Sequence, residues 1–221
     1  MSLPTIPADT IDDLIYDARA GDLDSLKTTI SELSASLQCT PAQIVAATVD
    51  AAPEAEGGTG CCLLHYPAAN GNLEILTYLL TTLTTQPSDQ TTTQSILNHK
   101  NHSGNTPLHW AALNTHLECV KALVEAGADI AVTNDAGLDA VFLAERADWS
   151  AVEVNEANAA AADQEMEEES GEAEVEMKDG GEQKEQAPPS KGRQVVEWLL
   201  SSEKGGELES GVAEGESAKK Q

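Results

Sequence analysis

The most constraining stretch of this chain begins at Gly104. There Gly-Asn-Thr-Pro-Leu-His-Trp-Ala-Ala112 is followed, after a short break, by Leu117-Glu-Cys-Val-Lys-Ala-Leu-Val-Glu-Ala-Gly-Ala-Asp129. Thr106 is suited to cap a helix through its hydroxyl, and Pro107 to the first helical position, where a missing N–H loses no partner. Ala111 and Ala112 are small enough for two helix layers to approach closely. Leu117, Val120, Leu123 and Val124 make one apolar stripe at helical spacing, and Gly127 ends it by permitting a left-handed backbone. The stretch therefore predicts a pair of short helices. Such a pair cannot close a core alone and needs stacked copies of itself.

Copies are present. Some 44 positions earlier, His65-Tyr66-Pro67-Ala68-Ala69-Asn70-Gly71 lies over the first helix, and Leu73, Leu76, Leu79 and Leu80 over the stripe. The excess over a usual period of roughly 33 residues falls in Thr81–Gln94, a Thr-rich connection containing Pro87 and read as an extended loop. Ala18-Arg19-Ala20-Gly21-Asp22-Leu23, with Leu26 and Ile30, gives a degenerate first unit, as expected where an outer face meets water. Between these two units, Thr40-Pro41 opens a short helix over Ile44, Val45 and Val49 before Pro53 and the glycines stop it. At 33 positions beyond the template, Gly137-Leu-Asp139-Ala-Val-Phe142-Leu-Ala144 supplies the first helix of a fourth unit, with Asp139 in the capping place.

The partner of that helix is displaced. Glu153 and Glu156 would occupy stripe positions, whereas Val195-Val-Glu-Trp-Leu-Leu200 restores the apolar pattern. The segment 155–192 is therefore read as an insertion rich in Ala, Glu, Gly, Pro and Gln, too poor in bulky apolar groups to offset the entropy of ordering. The Thr-Pro-Leu-His run and its recurrence resemble the ankyrin consensus. The expected fold is all-α: an ankyrin-repeat solenoid of about four helix-pair repeats, with short β-hairpin-like tips, extended inter-repeat loops and a disordered acidic insertion. The organisation follows as a flexible 1–9, three repeats and the first helix of a fourth over 10–154, the insertion 155–192, the closing helix 193–203 and a flexible 204–221.

Composition narrows what such an array can bind. Aromatics are only 3% of residues, which suits thin helical layers. Acids outnumber bases 38 to 12, for a formal charge of -26, and about half of the acids precede residue 151. An acidic folded surface repels nucleic acid and anionic membranes, and it attracts basic proteins. No direct nucleic-acid or membrane partner is expected. Cys39, Cys61, Cys62 and Cys119 lack the spacing of a disulfide framework, and residues 1–10 hold two prolines but no basic or long apolar stretch. Reduced thiols, a cytoplasmic and nuclear location and a monomeric state are the expectations.

Chemistry finds little to work with. His65 and His109 occupy the motif position whose ring bonds neighbouring backbone. Cys61, Cys62 and His65 lack a fourth ligand at zinc spacing, and the repeat register accounts for all three. No phosphate-binding glycine loop, nucleophile elbow or calcium loop occurs. No enzyme activity, metal or cofactor is expected.

The concave face of a stacked array, made of hairpin tips and first helices, is the expected partner surface. Its tips are Asn98–Asn105 and Ala131–Leu138. The candidate partner-binding residues are Asp17, Arg19, Asp22, Asp24, Tyr66, Asn70, Glu74, His102, Trp110, Leu113, Asn114, Asp135, Asp139, Phe142 and Arg146. Exposed ion pairs contribute only about 0–1 kcal/mol each, so steering comes from charge while tight holding needs apolar anchors. A basic amphipathic segment is the expected ligand.

A more specific likeness lies in Asp17-Ala-Arg-Ala-Gly-Asp-Leu-Asp-Ser-Leu-Lys27, in Ala68-Ala-Asn-Gly71 and in Gly104-Asn-Thr-Pro-Leu-His-Trp-Ala-Ala-Leu-Asn114, together with the stretched gaps between them. These resemble the fungal ankyrin-repeat chaperones dedicated to ribosomal protein S-three of the small subunit, over most of residues 10–150. Pro67 in place of Ala111, Thr115 in place of a usual glycine, and the acidic insertion depart from that pattern. The resemblance implies a protein that holds the N-terminal segment of this basic ribosomal protein, keeps it soluble and releases it on small-subunit assembly. The rival readings are a scaffold or regulator in signalling or transcription, recognisable by neutral or acidic partners, and an acidic histone chaperone.

Overall fold

The computed structural model describes residues 3–85, 90–150 and 189–202. Ten α-helices occur among them: α1 (Ala8–Ala20), α2 (Leu23–Leu37), α3 (Pro41–Ala47), α4 (His65–Asn70), α5 (Leu73–Thr85), α6 (Gln90–Leu97), α7 (Pro107–Leu113), α8 (Leu117–Ala126), α9 (140–150) and α10 (Lys191–Ser201). Helices α1, α4 and α7 stack side by side as an inner layer, and α9 follows as the first helix of the fourth unit. The outer layer runs α2, α3, α5, α8, α10, each against the next. This is the expected ankyrin-type solenoid.

Local chemistry explains where each helix starts. Thr106 accepts from the His109 N–H while the His109 ring reaches back to the Thr106 N–H, a reciprocal cap that satisfies two first-turn donors. Thr40 and Gln43 do the same for α3. Pro67 is the third residue of α4 and so lies in the first turn, where an absent N–H removes no helical bond. The tips are held by backbone bonds: Asn101 N–H to Asn105 O at 2.9 Å in one, Asn134 N–H to Leu138 O at 2.9 Å in the next.

Between layers runs one apolar seam. Leu14, Leu26, Leu64, Leu76, Leu79, Leu108, Val120 and Leu123 have no exposed or almost no exposed surface. At roughly 1.5–3 kcal/mol for each fully buried Leu or Val, this seam is the main force holding the repeats together.

One connection differs from expectation. Thr81–Gln94 is not an extended loop: α5 continues to Thr85, and α6 resumes at Gln90, with 86–89 outside the described residues. The threonine hydroxyls find acceptors within the helix itself: Thr82 bonds the Tyr78 carbonyl and Thr85 the Thr81 carbonyl four residues back. Buried Leu83, Ile96 and Leu97 anchor both ends to the core. The connection after α2 builds α3 and then a tight loop, in which an isolated antiparallel bridge pairs Val49 with Cys62.

At the far end, α10 packs on α7 and α8 with Val195 and Leu199 fully buried. Gly192 meets α9 so closely that a Cβ there would lie 2.7 Å from the Asp148 Cβ. Residues 191 and 192, counted above with the insertion, thus belong to the closing helix. Residues 151–188, with most of the insertion, and 203–221 lie outside the described residues.

Candidate functional site

The inner helices expose a row of side chains at one register. Tyr66 on α4 and Trp110 on α7 occupy equivalent positions and are both half-buried; their rings meet edge to face with centroids 5.8 Å apart. Trp110 also stands edge-on to the His65 ring at 5.3 Å. Tyr16 takes the same register on α1 and is 70% exposed. Leu113, one turn beyond Trp110, is 42% exposed. Large, rigid rings with one free face and little conformational entropy to lose are the side chains that anchor interfaces.

The histidines hold this row in place. Each of the five reaches a backbone carbonyl across a joint: His65 Nε2 to Asn105 O at 2.9 Å, His99 to Gly60 O at 2.9 Å, His102 Nδ1 to Gly58 O at 3.0 Å, His109 to Leu138 O at 3.0 Å and His116 to Ala69 O at 3.0 Å. In His65 the Cys62 N–H donates to Nδ1, which fixes the proton on Nε2. Burial pushes its pKa down to about 4, and lowers that of His109 as well. Cys62 stands where Thr106 caps the next repeat, its sulfur 3.2 Å from His65 Nδ1. Burial pushes that thiol up to about 12, so it stays protonated and is neither a nucleophile nor a ready metal ligand. Among the described residues no group of three or more His, Cys, Asp or Glu is placed to hold a metal ion, and no helix is long and apolar enough to cross a membrane.

The acids predicted for the site divide into two kinds. Some are part of the framework: Asp17 accepts from Ser25 Oγ at 2.7 Å, Asp22 caps α2 by accepting from Ser25 N–H at 2.9 Å, and Asp139 caps α9 by accepting from Phe142 N–H at 2.8 Å. Asp24 and Glu74 are exposed and lie with Asp22 and Tyr16 around one open cleft of about 580 Å³, which Lys27 also lines. Asp135 sits on the last tip, its N–H bonded to Ser103 O. Among the described residues there are two ion pairs, Lys121–Glu118 and Arg193–Glu197, each between neighbours on one helix. The negative charge of α1, α2 and the tips is therefore left for a partner or solvent.

Other candidates are placed as follows. The Asn70 side chain donates to Arg19 O at 3.1 Å and ties α4 to α1. Asn114 Nδ2 bonds Trp110 O within its own helix, and His102 joins two tips. Arg19 and Arg146 are exposed, and Phe142 is 40% exposed at the start of α9.

Sequence reasoning missed the second repeat's own tip. The loop 50–60 holds Glu54 and Glu56 exposed on a single 3-10 turn. It is fixed internally by Asp50, which accepts from Thr59 N–H at 2.6 Å and from Thr59 Oγ1 at 2.7 Å. Burial alone would raise the Asp50 pKa, but these bonds outweigh it and hold the carboxyl below its usual range. The available signal was Gly60, which stands 44 positions before Gly104 and shares its left-handed backbone, φ 68 against 75. Tyr16 was missed for a similar reason, since its register with Tyr66 follows from the same shift that matched Ala18 with Ala68.

Comparison with known proteins agrees with this geometry. The family model for ankyrin repeats (3 copies) matches residues 14–134. The ankyrin repeat-containing protein YAR1 of Saccharomyces cerevisiae is 35% identical over 156 residues, covering 69% of this chain and 72% of the yeast protein. In the crystal structure of yeast ribosomal protein Rps3 in complex with its chaperone Yar1, a chain with 34% identity superposes with a TM-score of 0.56, over 68% of this chain and 93% of that one. With three stacked copies of the motif, a reciprocal Thr106–His109 cap and histidines bonded across the joints on either side of the third repeat, the chain belongs to the ankyrin-repeat family.

Proposed function

We propose that this protein is a dedicated chaperone of small-subunit ribosomal protein S3, the counterpart of yeast Yar1. The carrying observation is the likeness to Yar1 in both sequence and fold, since that protein is the chaperone in the Rps3 complex. The surface chemistry is consistent with it. A ribosomal protein is basic because it binds RNA, and a row of rings flanked by unpaired carboxylates offers it both an apolar anchor and compensating charge. The protein works by binding rather than catalysis: it takes up the newly made client through the client's N-terminal segment, keeps it soluble in cytoplasm and nucleus, and yields it to ribosomal RNA, whose denser phosphate charge outcompetes the carboxylates.

The test is capture from a cell extract at moderate salt, followed by mass spectrometry of what is retained. Ribosomal protein S3 is the expected dominant partner, and its retention falls steeply as salt rises through the range where the Debye length drops below about 8 Å. Enrichment of histones, or of neutral or acidic signalling domains in its place, would overturn the reading.

A further inference from the structure

Tyr16 is the member of the ring row without a neighbour. Tyr66 and Trp110 lean on each other, whereas Tyr16, at the same register on α1, is 70% exposed. Among the described residues it has no ring partner, cation or hydrogen bond. What stands beside it is the open cleft of about 580 Å³, walled by Asp22 and Asp24 at the start of α2 and by Glu74 from the next repeat. Residues 3–85 as a whole carry eleven acids against two bases, Arg19 and Lys27, so the cleft lies on the more acidic part of the array.

The carboxylates of the cleft are not spent within the protein. Asp22 uses Oδ1 to cap α2 through the Ser25 N–H at 2.9 Å, but its second oxygen and both side-chain oxygens of Asp24 and Glu74 have no partner among the described residues. Lys27 also lines the cleft, yet it pairs with none of them. Its Nζ stands instead over the ring of Tyr78, 5.4 Å from the centroid. An open ring face and three carboxylates thus border one space, and the base at hand is engaged elsewhere.

We propose that this cleft is the specificity pocket of the groove, and that it seats an arginine side chain of the client segment in preference to a lysine. The identity of the client rests on the chaperone reading above; the chemistry of the cleft does not. A guanidinium is planar and weakly hydrated, so it can lie against the Tyr16 ring while its edge N–H groups donate to Asp24 and Glu74. An ammonium is compact and strongly hydrated, and it gains less from the same walls. Charge complementarity selects the occupant: a second copy of this chain or a nucleic acid would bring like charge to the cleft and is disfavoured.

Full-length chain is prepared as wild type, Tyr16→Phe, Tyr16→Leu, the pair Asp24→Asn with Glu74→Gln, and that pair combined with Tyr16→Leu. Asp22 is left in place because it caps α2. All three altered positions are exposed, and unchanged thermal midpoints check that the variants fold. Each protein is titrated at low salt with hexa-arginine, with hexa-lysine and with purified ribosomal protein S3. Wild type is expected to bind hexa-arginine about tenfold more tightly than hexa-lysine, a preference kept by Tyr16→Phe and lost in Tyr16→Leu. Affinity for ribosomal protein S3 is expected to fall about tenfold in Tyr16→Leu and about tenfold in the carboxylate pair. The combined variant should lose far less than the roughly hundredfold product, because both changes remove one shared contact. Equal binding of the two peptides by wild type, a preference that survives Tyr16→Leu, or a full hundredfold loss in the combined variant overturns the arginine seat. If ribosomal protein S3 is held with no dependence on Tyr16, the seat falls and the chaperone reading stands. If the peptide preference is present and ribosomal protein S3 is not held, the chaperone reading falls and the seat stands.

Discussion

His65 donates its Nε2 proton to the carbonyl oxygen of Asn105, 40 residues along the chain and one repeat away. The bond requires a neutral ring whose Nδ1 accepts from Cys62 N–H. Unfolded, the ring has an ordinary pKa near 6.5; folded, burial holds it at about 4. Stability from this group is therefore complete above pH 6.5 and is lost as pH falls toward 4, because the unfolded chain binds the proton first. The loss amounts to roughly 3 kcal/mol across that window. Thermal unfolding of wild type and His65→Gln from pH 8 to 4 checks this. The variant starts lower and shows a flatter pH response.

Thr115 and Gly71 occupy equivalent turns between paired helices, and both have left-handed backbones, φ 57 and 72. A β-branched residue is strained there, so Thr115→Gly is expected to stabilise by about 1 kcal/mol. Gly71→Ala goes the other way by about 2 kcal/mol, because its Cβ would lie 2.7 Å from His116 Nδ1, in the ring that bonds Ala69 O. Differential scanning calorimetry of the two variants reads opposite shifts of a few degrees.

The docking of α10 is testable by truncation. Leu199 is fully buried and Leu200 is 41% exposed. Leu199→Ala should cost about 2–4 kcal/mol and Leu200→Ala almost nothing. Gly192→Val, which has no room against Asp148 and the Ala144 carbonyl, should unseat the helix and mimic the first variant. Equal melting of all three would mean that α10 contributes nothing to the stack.

Trp110 meets the rings of both His65 and Tyr66 on the concave row. Trp110→Ala should weaken client holding by about 2 kcal/mol, near thirtyfold, whereas Tyr66→Phe keeps the ring and should bind nearly as wild type. Titration calorimetry with purified ribosomal protein S3 measures both.

The sequence made the repeats readable wherever backbone chemistry demands particular residues. Thr106-Pro107 and Thr40-Pro41 mark helix starts because a hydroxyl and a missing N–H are each useful at one position only. Val195 and Leu199 reveal α10 through spacing alone. What escaped was set by tertiary context. Thr82, Thr84 and Thr85 have weak helix propensity, yet they stay helical because Leu83 between them is buried in the core, and their hydroxyls are satisfied by carbonyls one turn back. In the candidate site, the register of Tyr66 and Trp110 was legible. The capping place of Asp139 was legible as well, from its register with Thr106, but the engagement of Asp17 and Asp22 in structural bonds was not, since a carboxylate at a helix start and one awaiting a partner are the same letter.

The helix that completes the fourth unit is made last. Forty residues separate position 150 from Lys191, so at roughly 5–20 residues per second the nascent array waits about 2–8 s with α8 uncovered before α10 can arrive. Once it has arrived, the span tolerates change. Doubling the intervening length would add only about 0.6 kcal/mol to the entropy of closing it. Related sequences are thus free to lengthen or shorten that stretch while the lock that ends the stack keeps its seat.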